Sequence, residues 1–276
     1  MAKGGYQKRR IEAKKAAERR ARKRAARKRQ FVTTGGVLAA IAALITVVVL
    51  VATSGSGKKS LANSSPTPSV SPSPSVSPSL IQGCTEPDDA KPNGMQWKSG
   101  PKMTIDKTKI YLVKMDTTCG QITMRLDPKV APATVNNIVF LVNQHFYDHT
   151  VFHRVQNVPN DFAIVQGGDP QGTGSGGPGY SYNGEKPAAG TKYKRGVIAM
   201  ANSGSTSTNG SQFFFVVHDW LSLPANYTVF GTVTDATSFA TLDRMITATG
   251  PDLGGLGLSP SPAIKINSAT VSVTNG

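Results

Sequence analysis

The stretch Gln166-Gly167-Gly168-Asp169-Pro170-Gln171-Gly172-Thr173-Gly174-Ser175-Gly176-Gly177-Pro178-Gly179-Tyr180 follows the apolar run Phe162-Ala163-Ile164-Val165 and contains a literal G-x-G-x-x-G. In a dinucleotide-binding βαβ unit the third glycine opens a helix whose N–H groups hold a pyrophosphate, and an acid follows about twenty residues on. Here Pro178, Gly179, Tyr180 and Asn183-Gly184 follow, which cannot begin a helix, and the nearest acid is Glu185. The stretch therefore reads as a tight glycine loop after a strand, and its neighbours decide what it serves.

Those neighbours have the period of strands. Lys109 to Met115 and Gly120 to Leu126 alternate or nearly so around the hairpin link Asp116-Thr117-Thr118-Cys119-Gly120. After Pro128 and Pro132, Val135, Ile138, Val139, Val142 and Phe146 make one apolar helical stripe. Short apolar runs follow at 196–200, 212–217 and 228–233, then an amphipathic helix over Thr237 to Ile246 and a closing strand over Ala263 to Val273. Many short strands with two helices predict one barrel-like β domain and not a βαβ fold.

Outside that domain the composition changes abruptly. Residues 1–30 carry fourteen Lys and Arg against two Glu, which is +12 of the formal +15. From residue 60 onward the chain is nearly neutral, with fifteen basic and fourteen acidic side chains, so no broad face for nucleic acid is expected. Phe31 to Thr53 runs 23 residues without a charge, enough at ~1.5 Å per residue to cross a hydrocarbon core. A cleaved signal peptide would have a shorter basic region, a shorter apolar core and an A-x-A site. The segment reads as an uncleaved signal anchor, a single-pass span in the cell membrane with the N-terminus cytoplasmic and the rest extracytoplasmic. The basic tail suits anionic lipid headgroups, each Lys or Arg adding about 1 kcal/mol near the surface. Residues 54–82, rich in Ser and Pro, read as a disordered, extended stalk. Residues 83–103 form an N-terminal extension to a domain spanning 104–276.

Other chemistries fail on their own spacing. Gly55-Ser56-Gly57-Lys58-Lys59-Ser60 has the Gly-Lys of a P-loop, but Ala52 replaces the first glycine and Lys59 the magnesium ligand. His145, His149 and His153 recur every four residues, yet aromatic and β-branched residues and a turn at Asp148-His149 interrupt any helix, and no further ligand completes a metal site. No G-x-S-x-G exists, and both cysteines stand far from a base. Cys84 and Cys119 lie on the predicted outer side, where a disulfide persists. Pairing, which would close a loop of about 35 residues, and two free thiols are both open readings. Gln82 makes lipidation of Cys84 a poor fit.

What remains is a set with few titratable and many apolar residues. Phe152-His153-Arg154-Val155, the opening Gln166–Tyr180 run, Ala199-Met200-Ala201-Asn202-Ser203-Gly204, Asn209-Gly210-Ser211-Gln212-Phe213-Phe214 and Val229-Phe230-Gly231 stand in an order and spacing that resemble the cyclophilin family of peptidyl-prolyl cis–trans isomerases. The resemblance covers about residues 104–274. It implies a mostly β fold, a closed eight-stranded antiparallel barrel with two capping α-helices, with a peptide groove on its outer face. It implies no cofactor and no metal, and proline-containing polypeptides as partners; the alternative is a cyclophilin-fold binding module or holdase with little turnover.

Carried over residue by residue, Arg154 matches the catalytic arginine and Gln166 the residue that orients it. Ile164, Phe214 and Leu221 would wall the proline pocket. A further aromatic belongs three places before the glutamine, where Ala163 stands; strand alternation puts Phe162, Ile164 and Gln166 on one face, so Phe162 is assigned the role. Ala201, Asn202 and Ser203 would pair with the residues before proline, and Gln212 would line the same groove. Gly172 would leave room for the substrate chain, and Tyr227 replaces a common histidine. Trp220 matches the residue associated with binding of cyclosporin-type inhibitors.

Overall fold

The computed structural model of the protein describes residues 79–275. The basic tail, the apolar span 31–53 and most of the Ser/Pro-rich stalk lie outside those residues. Among the described residues no helix is long and apolar enough to cross a membrane.

β1 (Lys109–Thr117) and β2 (Gly120–Leu126) form the expected hairpin, in which Thr117 opposite Gly120 leaves Thr118-Cys119 as the turn. Val113, Met115 and Thr117 are buried while Lys114 and Asp116 between them are exposed, the period-two pattern of a strand with one wet face. α1 (Pro132–Asn143) starts at a proline and buries Val135, Ile138, Val139 and Val142. Its N-terminus has no local side-chain cap. Instead Glu185, the acid beyond the glycine loop, accepts from the Ala133 N–H at 2.6 Å and from the Thr134 hydroxyl at 2.7 Å. A carboxylate there meets both unpaired N–H groups and the positive end of the helix dipole.

β3 (Arg154–Asn157), β4 (Ala163–Gly167), β5 (Val197–Met200), β6 (Phe213–His218), β7 (Val229–Thr232), α2 (Ala236–Met245) and β8 (Ile266–Asn275) complete the chain. Asp235 caps α2 through the Ser238 N–H at 2.8 Å. The sheet order is β3-β4-β6-β5-β7-β2-β1-β8, every pair antiparallel. The sheet is a curled half-barrel, and here the expectation of a uniformly closed barrel needs correcting. β3 and β8 share no ladder; Val155 exchanges two backbone bonds with Leu258 (2.9 and 2.7 Å), and Phe152 donates to the Ile264 carbonyl at 2.9 Å. The intervening chain, with glycine at 250, 254, 255 and 257 and proline at 251, 260 and 262, cannot keep a regular ladder.

The curl separates two apolar clusters. Inside lie Val113, Met115, Ile122, Met124, Phe152, Ala163, Val165, Phe213, Phe215 and Phe230 with α1 and α2 residues. On the outer face Phe162, Ile164, Tyr193, Ala199, Phe214, Val216 and Leu223 form the second cluster. β4 and β6 are therefore buried on both faces, which is why their sequences are continuously apolar.

Residues 79–108 contain no helix or strand, yet they are docked along their length. Ile81, within the expected stalk, already packs against the interior cluster. Cys84 and Cys119 are joined by a disulfide. Lys265, only 3 % exposed, donates its Nζ to the Asp88 carboxylate, to the Asp88 carbonyl at 3.0 Å and to the Ala90 carbonyl at 2.5 Å. Asn93 Nδ2 donates to the carbonyls of Gln144 and His145, both at 3.0 Å.

Candidate active site

Register assembles the site. Arg154 opposes Gln166, Gln166 opposes Phe214, and Phe214 opposes Ala199, so one row across β3, β4, β6 and β5 carries a guanidinium, an amide and an aromatic ring. Directly opposed residues in an antiparallel sheet share a face. Nothing in local periodicity sets this row; the strand order does.

Arg154 is held from three sides. Its Nη1 donates to Gln166 Oε1 at 3.1 Å, its Nη2 to Gln156 Oε1 at 2.5 Å, and its Nε to the Leu256 carbonyl at 2.5 Å. Burial lowers the pKa of the guanidinium from its ordinary value, which still leaves a permanent cation. Gln156 lies two residues along β3 on the same face; that alternation was readable. The contact of Leu256 comes from the glycine-rich 250–258 segment and carries no sequence signal.

The amides continue the row. Gln166 Nε2 donates to Gln212 Oε1 at 3.1 Å, and Gln212 Nε2 donates to the carbonyls of Gly174 and Gly176 at 3.0 and 2.9 Å. The opening glycine loop thus ends a hydrogen-bond chain that begins at Arg154. Asp169 shapes that loop. Its carboxylate is fully buried and accepts from the backbone N–H groups of Gln171 (2.8 Å), Thr173 (3.0 Å), Gly174 (2.7 Å) and Gly176 (3.0 Å). Burial pushes its pKa up, but the N–H groups of Gly176, Gln171 and Gly174 outweigh this and hold it below the usual carboxylate value. At Gly176 a Cβ would lie 2.0 Å from Asp169 Oδ1, so only glycine permits the wrap. The loop does cradle an anion, and the anion is its own aspartate. Asp169 was not among the expected site residues, although an acid placed just before a glycine run is the available signal.

The outer cluster adjoins this row. Phe162 and Ile164 lie in it while Ala163 and Val165 point inside. Asn160, at φ +62°, closes the β3–β4 link, and the Val158 N–H donates to the Phe162 carbonyl at 2.8 Å. Phe162 stacks flat on Trp220, centroids 3.8 Å apart and planes 2° apart. Tyr227 meets Phe214 edge-on at 5.6 Å, and its backbone is fixed by the Tyr193 hydroxyl at 2.9 and 3.0 Å. Leu221, half exposed, stands beside Trp220.

A groove of about 780 Å³ borders the row, lined among others by Gln166, Gln212, Ala201, Asn202 and Ser203. The Ala201 N–H is fixed by the Gln212 carbonyl at 2.9 Å, and Asn202 bridges the Gly204 N–H and the Asn226 carbonyl, both at 3.0 Å. Gly172 is not part of this lining. It borders a smaller cavity with Pro87, Asp88, His149 and Lys265, because its N–H turns back to the Asp169 carbonyl at 3.1 Å. The three histidines are dispersed: His145 and His149 occupy turns with φ of +55° and +63°, and His153 is buried beside Asp169 with both ring nitrogens unpartnered. Burial lowers the His153 pKa.

Fold and site together define a class: a curled antiparallel β domain that sets an oriented guanidinium, a chain of amides and an aromatic cluster along one outer face. Residues 112–271 match the family described as cyclophilin type peptidyl-prolyl cis-trans isomerase/CLD, and the chain belongs to that family. It is 41 % identical over 167 residues to the probable peptidyl-prolyl cis-trans isomerase B of Mycobacterium tuberculosis, covering 56 % of this chain and 53 % of that one. It is 41 % identical over 141 residues to a peptidyl-prolyl cis-trans isomerase of Helicobacter pylori, covering 51 % and 82 %. Among solved structures, a cyclophilin type isomerase of Cryptosporidium parvum determined in the presence of the dipeptide Ala-Pro is 30 % identical, with a TM-score of 0.50 and coverage of 58 % and 98 %. The chain spans about half the length of the mycobacterial relatives it matches.

Proposed function

We propose that this protein accelerates cis–trans rotation about X–Pro bonds in exported or cell-surface polypeptides and so assists their folding. The observation that carries the reading is the geometry of Arg154. A guanidinium has five N–H donors; three are committed to Gln166, Gln156 and Leu256, which leaves two for a substrate beside the ring of Phe214.

X–Pro rotation is slow because it breaks amide resonance, a barrier of about 18–20 kcal/mol. Catalysis requires only that the twisted amide bind better than the planar one. As the bond twists, the prolyl nitrogen pyramidalises and regains its lone pair, and Arg154 donates toward it. A fixed, permanently charged donor needs no proton transfer for this. Phe162, Ile164, Phe214 and Leu221 wall the ring of the proline, with Trp220 and Tyr227 supporting the cluster. Ala201, Asn202 and Ser203 pair with the backbone before the proline. No cofactor is required, and Trp220 stacked on Phe162 is the face that a cyclosporin-type macrocycle would contact.

The basic run 1–30 followed by the uncharged span 31–53 supports a membrane anchor with the domain outside, and a Cys84–Cys119 bridge suits an oxidising exterior. Protease added to intact, wall-stripped cells should then digest the domain; protection would reverse the orientation.

The activity is tested with Ala-Pro peptides by exchange NMR. Acceleration by the full chain is expected, with a fall of about 10²–10³ in Arg154→Ala, the usual loss on removing a preorganised transition-state donor. No acceleration by the intact protein, with peptide still bound, would establish the holdase reading instead.

A further inference from the structure

The groove has a wall that the family's matched region does not supply. Gln96, sixteen residues before residue 112, lines it together with Asn202 and Gln212. Its Nε2 donates to the Gly177 carbonyl at 3.1 Å, and the next N–H, of Trp97, donates to the Pro178 carbonyl at 2.9 Å. Trp97 is anchored by Phe140, edge-on at 5.1 Å, and by Phe146 at 5.9 Å. The fit is close: Gly179, at φ +86°, would place a Cβ 2.8 Å from the Trp97 carbonyl. The extension is thus built into the edge of the glycine loop.

We propose that Gln96 determines specificity for the side chain two residues before the proline, selecting an uncharged polar group, an amide or hydroxyl. This rests on the isomerase reading, which sets the chain direction. The substrate's proline enters the aromatic cluster and the preceding backbone runs along Ala201-Asn202-Ser203. In an extended chain alternate side chains share a face, so the second residue before proline points the same way as the ring, into the groove. The side chains available to it there include Gln96, Gln171, Ser175, Ser203, Thr208 and Gln212, and the lining contains no charged residue. Such a wall offers hydrogen bonds to a neutral partner and no counter-charge to an ion. Gln96 is itself exposed, so its side chain is free to change partner without disturbing a core.

The test uses the full chain in detergent micelles and peptides with Gln, Lys or Glu two places before Ala-Pro or a comparable X–Pro pair. The wild type should favour the Gln peptide in kcat/KM over both ionic ones by about threefold or more, the scale of one hydrogen-bonded group. Gln96→Glu should raise the Lys-to-Glu ratio about three- to fivefold, and Gln96→Lys should lower it by as much, both effects shrinking with salt. Ratios within one variant cancel any general loss of activity, and opposite shifts in two variants cannot arise from misfolding. Unchanged ratios in both variants would overturn the proposal. The same ratios are read from peptide affinities by NMR titration, so the role of Gln96 is decided even for a protein that binds without turnover.

Discussion

Asp169→Asn is the substitution by which the glycine loop is best examined. The wild-type carboxylate receives one N–H on Oδ1, from Gln171, and three on Oδ2, from Thr173, Gly174 and Gly176. Asparagine of the same shape can keep its oxygen toward the group of three, but its NH₂ then faces the Gln171 N–H, donor to donor. One charge-assisted bond is lost, about 1.5–3 kcal/mol, and three fall to neutral strength. Because those three share one oxygen their losses do not add, and about 2–4 kcal/mol is expected in total. For a domain of this size that lowers the melting midpoint by about 5–15 °C, measured by circular dichroism. Catalysis should fall as well. Gly174 and Gly176 present the carbonyls that hold Gln212, and Gln212 holds Gln166 against Arg154; a loosening of about 1 kcal/mol along that chain gives roughly a fivefold loss in kcat. A midpoint within about 2 °C of wild type would refute the assignment of Asp169 as the organiser of the loop.

Moving the aromatic ring by one place, Phe162→Ala with Ala163→Phe, should cost about 3–5 kcal/mol in urea unfolding, since Ala163 is fully enclosed and the vacated site faces Trp220; near-wild-type stability would mean the face was misassigned. Removing the Cys84–Cys119 bridge, by Cys119→Ser or by reductant, should cost about 4 kcal/mol on the chain-entropy account for a separation of 35 residues, seen as a lower unfolding midpoint in both cases. Burial holds the His153 pKa below 6.5, so the unfolded chain binds a proton that the folded one refuses. Stability is then full above pH 6.5 and declines as pH falls below it; in His153→Leu the slope between about pH 6.5 and 5 should flatten, and an unchanged slope assigns the titration elsewhere.

Much of the domain was legible because its information is local. The hairpin 109–126, the stripe of α1 and the helix 236–245 each satisfy one period within a dozen residues. The face of Phe162 followed from alternation alone. What escaped has its cause far away in sequence. Glu185, which in the sequence is only the acid nearest the glycine loop, caps α1, 51 residues back. Arg154 draws on Leu256, 102 residues on. Gly172, expected in the groove, turns to the other side of its loop because Asp169 winds the chain around itself. The open edge between β3 and β8 depends on where the glycine- and proline-rich 250–262 chain meets Phe152 and Val155, contacts between segments far apart in the sequence.

Lys265 sets where this protein can be cut. It precedes β8 and lies inside the region common to the family, yet every acceptor of its ammonium, Asp88 and Ala90, lies ahead of that region. A fragment trimmed to residue 104, the boundary that sequence similarity suggests, would strip the Lys265 ammonium of all three acceptors and uncover the cavity it lines with Pro87, Asp88 and Ala90. The folded unit of this protein therefore begins ahead of the matched region: residues 84–97 are tied into it by the Cys84–Cys119 bridge, by Lys265 and by the bonds of Gln96 and Trp97 to the glycine loop.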